Sequence, residues 1–379
     1  MFELTNEQRK CFALPPVEPH WKRVEVKPSP YDLFYMYAYL DGQRVVKVIG
    51  GFDDANHEKY FEYGVNETLS EDGTKLLPKT AKGKPQNFTT SNLEKRTPVG
   101  MALSYERGYI SITNHTSSKS YYRSRYEGAE IKNFGDFQKW VDDWCKNTGE
   151  KELLDIQRFA AEGRIHQKYK EGDFFRYRIN RRLWGYGRIL LDFAKMRKEG
   201  TEFWDIFFGK PLCVAVYHIA TEDADVTPEM LRGKRMLPSQ MIMDNVFYYG
   251  ECEIIGNMPL AEEEKDYPIH YGRSISHGEY NIIKYQCGRT YISLKGADEV
   301  CEGFTNGAIG WDLHVSLPVL LKCIAEGTNM PYWNQPNFYS AREDLRNPKY
   351  WRELALVRTQ IGLKENKIQS SIWRREKIK

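Results

Sequence analysis

The chain has no apolar run approaching the ~18 residues that a membrane-spanning helix needs. Its first residues, "MFELTNEQRKCFALPP", place an acid at position 3 and lack the apolar core of a signal peptide. No membrane partner is therefore expected, and the expected address is the cytoplasm. Net charge is nearly absent as well. The 55 basic side chains are offset by 52 acidic ones, leaving +3, so no global field draws the molecule toward nucleic acid or an anionic surface.

Metal and disulfide chemistry are thinly provided. The seven cysteines (Cys11, Cys145, Cys213, Cys252, Cys287, Cys301 and Cys323) are odd in number, scattered, and never spaced C-x-x-C, and they read as reduced small hydrophobes. No two of the eight histidines form H-x-H. "HEKYF" at His57 begins like a zinc-protease helix but carries Phe61 where the second ligand belongs. His270 and His277 flank "YGRSIS" and read as loop histidines. Ser276 beside His277 is no triad signature without a nucleophile elbow. "TEDADV" (Glu222, Asp223, Asp225) lacks the glycine and terminal glutamate of a calcium loop. There is no internal repeat. No catalytic residue, metal site or cofactor is expected from these patterns.

What is present is core material: 41% hydrophobic and 14% aromatic residues over 379 positions, enough for two domains. The pattern predicts an α+β fold, β-rich, with curved antiparallel sheets and packed helices. "DLFYMYAYL-DG-QRVVKVIG" predicts a hairpin turning at Asp41-Gly42, and "MALSYERGYISITNH" another turning at Glu106-Arg107-Gly108. The Lys-, Pro- and Thr-rich stretch between them reads as loop. Phe137, Trp140, Val141 and Trp144 make an amphipathic stripe that predicts a helix over 134–146, followed by a second over 150–166. Polar "EGRIHQKYKEG" then sets a boundary, giving an N-terminal domain over 1–166 and a second domain over 167–379. In the latter, "PLCVAVYHIA", "NVFYYGECEIIGN" and "YNIIKYQCGRTYISL" read as strands. A short helix is expected at Pro228 after Thr227, and helices at "LPVLLKCIAEG" and at "NPKYWRELALVRTQIGL", capped by Asn347.

The densest segment is "GDFFRYRINRRLWGYGRILLDF", Gly172 to Phe193. Its period-two pattern predicts a hairpin across Asn180-Arg181-Arg182. Phe175, Tyr177, Ile179, Ile189 and Leu191 share one face with Gly185 and Gly187. Arg176, Arg178, Trp184, Tyr186 and Arg188 take the other. Glycines on the apolar side admit the close approach of a backbone or a ring. The basic-aromatic face invites an RNA or single-stranded-DNA reading, since Lys168 to Lys198 holds ten basic residues against three acids. However, the RNA-recognition pattern fails at Trp184 and Arg188, and a lone "GYG" followed by strand is no phosphate loop. The acidic run "AEEEKDY" (Glu262, Glu263, Glu264, Asp266) reads as a solvated loop or a docking surface for a basic partner.

"YKEGDFFRYRINRRLWGYGRILLDF", "GKPLCVAVYHI" and "FYYGECEIIGNMPL" together resemble the bacterial immunity protein 26 family, encoded beside polymorphic toxins. The resemblance rests on Gly172-Asp173-Phe175, the run Trp184 to Ile189, and a strand at Gly250-Glu251, and covers about 168–273. The N-terminal domain looks like the extension carried by longer members. The resemblance implies a non-catalytic domain that binds and neutralises a cognate protein toxin in the cytoplasm of the producing cell. Some members carry a phosphotriesterase label, so a metal-dependent phosphoesterase stays open as an alternative, beside the RNA or single-stranded-DNA binder. The candidate partner-binding residues are Arg176, Arg178, Trp184, Tyr186, Arg188, Glu262, Glu263 and Glu264.

Overall fold

The computed structural model describes residues 2–29, 34–54, 57–204, 209–273, 282–295, 309–335 and 344–363. Ser276, His277 and Cys301 lie outside these ranges. The chain divides into two compact units, Met1–Ile165 and His166–Lys379. Its fold class is α+β, with antiparallel sheets and packed helices.

The first unit is a meander. Its strands are β1 (Lys22–Glu25), β2 (Tyr35–Asp41), β3 (Arg44–Asp54), β4 (His57–Thr68), β5 (Lys75–Leu76), β6 (Gln86–Asn87), β7 (Val99–Glu106), β8 (Tyr109–Asn114) and β9 (Lys119–Arg123). Seven of them form one antiparallel sheet in the order β1-β2-β3-β4-β7-β8-β9. Alternation along the strands gives this sheet two apolar faces. Tyr39, Ile49, Leu103, Tyr105 and Ile112 meet the helices Phe134–Lys146 and Glu150–Ala160, with the Tyr105 ring stacked 4.7 Å from Phe137. Met36, Ala38, Val45, Val48 and Phe61 share the other cluster with Leu93. A buried ionic group fixes the N-terminal helix Asn6–Lys10. Glu62 accepts from Arg9 Nε at 2.8 Å, Lys47 Nζ at 2.6 Å and the Tyr60 hydroxyl at 2.9 Å.

Several sequence expectations shift here. The first hairpin turns one residue later than expected, at Gly42-Gln43, because Asp41 pairs with Arg44. The second turns at Arg107-Gly108, both at positive φ. "HEKYF" lies in strand β4, not a helix. The supposed loop between the hairpins contains the β5–β6 ladder and the helix Thr90–Glu94. The helix expected over 150–166 stops at Ala160.

The second unit holds β10 (Asp173–Arg178), β11 (Trp184–Asp192), β12 (Pro211–Thr221), β13 (Gln240–Met243) and β14 (Glu253–Asn257) in the antiparallel order β13-β12-β11-β10-β14. A three-stranded sheet follows, β15 (Ile269–Arg273), β16 (Ile282–Cys287) and β17 (Thr290–Lys295). Helices Leu317–Glu326 and Trp351–Gln360 complete the unit, with Asn347 capping a 3-10 turn at Pro348–Tyr350 ahead of the last. "NVFYYGECEIIGN" is not one strand. Asn245–Tyr248 is helical, Gly250 turns at φ 72°, and β14 begins only at Glu253, so the strand expected at Gly250-Glu251 is a bend. The aromatic residues Phe247 and Tyr248 suit either state, and the left-handed glycine decides the break.

Among the described residues the cysteines form no disulfide: Cys213, Cys252 and Cys323 are buried, and Cys11, Cys145 and Cys287 are half-buried. Burial pushes the Cys213 thiol up to about 12 and the Cys287 thiol to about 11, which makes both poor nucleophiles.

Candidate functional site

The β10–β11 hairpin forms as its period-two pattern requires, with Arg178 opposite Trp184, Tyr177 opposite Gly185 and Phe175 opposite Gly187. The two glycines exist for the rings across from them. A Cβ on Gly185 would stand 2.4 Å from Tyr177 Cζ, and one on Gly187 2.2 Å from Phe175 Cζ. Register shifts at Gly185/Gly187 and Ile189/Leu191 against β12 curve the sheet around this point.

The opposite face is largely sealed. Arg176 donates from Nε to Glu253 at 2.9 Å and from Nη1 to the Ala224 carbonyl at 2.6 Å, and the Tyr186 hydroxyl donates to the Asp223 carbonyl at 2.6 Å. The acidic "TEDADV" loop thus serves as a lid on the hairpin. The half-buried Trp184 ring lies beneath the guanidinium groups of Arg178, at 4.4 Å, and Arg176, at 5.0 Å. Tyr186 and Arg188, two of the candidate partner-binding residues, are 0% and 1% exposed. Sequence periodicity marks the face, and packed neighbours cover this part of it.

Arg188 is the centre of a cleft. Its guanidinium lies 4.1 Å over the Phe174 ring, donates from Nη2 to the Met258 and Pro259 carbonyls at 2.8 and 2.9 Å, and pairs through Nη1 with Glu264 at 3.0 Å. Burial pushes the neighbouring Tyr217 hydroxyl up to about 12, with Arg188 opposing the rise. Above this floor opens a cleft of about 640 Å³. One wall is Arg232, Lys234 and Arg235 with Met236; the other is Met258, Pro259 and Ala261 with Glu263.

The acidic run splits by role. Glu262 to Glu264 form a single 3-10 turn, in which Glu262 pairs with Lys265 at 2.5 Å, Glu263 is exposed, and Glu264 turns inward to Arg188. Asp266 is not part of a solvated loop. It is buried, 2.6 Å from Arg346 Nη1, in a group that includes Asp344 and Ser239. The structure therefore brings Arg188, Glu263 and Glu264 to one cleft and leaves Arg176, Arg178 and Trp184 on a separate stack. Sequence reasoning missed the basic wall; the signal was "RGKR" at Arg232 to Arg235, directly after a helix start.

Among the described residues no group of three His, Cys, Asp or Glu side chains is placed to hold a metal ion. Nor is any helix there long and apolar enough to cross a membrane. No curated protein and no solved structure matches the chain. Residues 170–281, less than a third of the sequence, match the family model of immunity protein 26. That stretch contains both walls of the cleft and its Arg188 floor, and it is this part of the chain that is similar to the immunity protein 26 family.

Proposed function

We propose that this protein is an immunity protein of a bacterial polymorphic toxin system, which binds a cognate protein toxin in the cytoplasm and neutralises it. The carrying observation is the family match over 170–281, which spans the one stretch that supplies the whole cleft described above. A folded sheet presenting a charged cleft suits a binding module, because side chains already held in place lose little freedom when a partner docks. The reading is tested by co-expressing the full chain with the toxin candidate encoded beside it. Restored growth and co-purification of the two proteins are expected. Unrelieved toxicity together with no complex overturns the reading.

A further inference from the structure

The cleft has a charge imbalance that its fold leaves unanswered. Among the described residues the side chains of Arg232, Lys234 and Arg235 make no hydrogen bond or ion pair, although Arg232 and Lys234 are exposed and Arg235 half-buried within four positions of one another. Across the cleft, Glu264 is engaged by Arg188 and only Glu263 stands without an ion pair. Three unanswered cations thus face one unanswered carboxylate. Like charges held this close repel one another, and an incoming anion relieves that repulsion.

We infer that the cleft between Arg232–Arg235 and Met258–Glu263 docks an acidic segment of a protein partner. This rests on the reading of the chain as a toxin-binding protein and names the chemistry by which that partner is held. The carboxylates of the segment lie against Arg232, Lys234 and Arg235, and its aliphatic stems lie on Met236, Met258 and Pro259, thioether and ring surfaces that adapt to an irregular chain. The volume is within the range of sites that enclose a ligand of several side chains.

A nucleic acid fits this lining less well. Among the described residues no aromatic side chain lines the cleft to stack a base, and the Glu263 carboxylate repels a phosphodiester backbone. In a peptide, by contrast, Glu263 meets backbone N–H groups or a basic side chain.

The test uses the full chain and fluorescence anisotropy at low salt, with three probes: an oligo-glutamate peptide, an oligo-glutamine peptide of equal length, and oligo-uridine RNA. The oligo-glutamate peptide is expected to bind, the oligo-glutamine peptide not. The triple variant Arg232→Gln, Lys234→Gln, Arg235→Gln is expected to weaken binding by about tenfold or more, and Glu263→Gln to leave it equal or tighter. The substituted side chains make no hydrogen bond or ion pair among the described residues, so an unchanged melting temperature certifies the variant. Equal peptide affinity in parent and triple variant overturns the inference, as does RNA binding tighter than the peptide and abolished by the same variant. The two readings fail separately. A toxin held equally well by the triple variant overturns the cleft assignment and leaves the immunity reading standing. Failure to bind or neutralise the toxin, while the basic wall still holds oligo-glutamate, overturns the immunity reading.

Discussion

Arg188 Nη1 stands 3.0 Å from Glu264 Oε1, so the basic-aromatic hairpin and the acidic run, two segments that look unrelated in sequence, close on one buried ion pair. The pair is not a surface decoration: Arg188 is 1% exposed, and its second nitrogen holds the Met258 and Pro259 carbonyls. Removing one partner of a buried pair leaves the other charge uncompensated and costs about 3–5 kcal/mol.

Arg188→Ala is accordingly expected to lower stability by about 3–5 kcal/mol in urea unfolding, since it strands Glu264 and two carbonyls together. Glu264→Gln keeps an acceptor for the guanidinium and should cost about 1–3 kcal/mol. A midpoint unchanged in Arg188→Ala would show that the guanidinium does not organise this wall.

The close approach of rings to the hairpin glycines gives a second expectation. Gly187→Ala places its Cβ 2.2 Å from Phe175 Cζ and 2.5 Å from the Ala215 carbonyl oxygen, where backbone cannot yield cheaply. Overpacking of this kind costs about 1–3 kcal/mol. Gly163→Ala, with nothing within 4 Å of its Cβ, is the matched control and should stay within about 0.5 kcal/mol of the parent. Equal thermal midpoints for the two variants would contradict the packing described here.

How much of this was legible in sequence depends on the range of the interaction. The helix Phe134–Lys146 and the two N-terminal hairpins are set by patterns a few residues long, and they appear where periodicity and turn glycines place them, the first hairpin within one residue. The strand expected at Gly250-Glu251 fails because the local preference of "NVFYYG" is ambiguous and a helical turn ends on Gly250. The candidate site was legible by parts only. Arg188 and Glu264 were both visible as charged residues, but their contact spans 76 positions and depends on the loop after β14 folding back over β11. The partner atoms that seal Tyr186 and Arg176 are backbone carbonyls of Asp223 and Ala224, which no side-chain pattern announces.

Buried phenols set the alkaline limit of the fold. Burial raises Tyr177 above its ordinary value of 10.0, and Tyr217 to about 12. A raised folded-state value means that the protonated form is favoured by folding. Its contribution is complete below pH 10.0, where the unfolded phenol ionises, and is lost as pH rises toward 12. The urea midpoint is therefore expected to fall across that window, with tyrosinate absorbance at 295 nm appearing together with unfolding. Smooth titration of all phenols near pH 10 in the folded protein would argue against their burial.

The last expectation concerns autonomy of the second unit. Among the described residues, the apolar clusters around Tyr105 and Phe61 draw on positions before Ile165, and those around Phe174 and Tyr271 on positions after His166. A segment with its own core can fold by itself. We expect the fragment 166–379 to be monodisperse, to unfold in one cooperative urea transition, and to bind the oligo-glutamate peptide with the affinity of the full chain, because every lining residue of the cleft lies within it. Binding is the sharper readout, since a collapsed but misfolded fragment could remain in solution without closing Arg188 onto Glu264. A fragment that aggregates, or that unfolds without a transition, would mean that the first unit supplies stability the apolar clusters do not reveal.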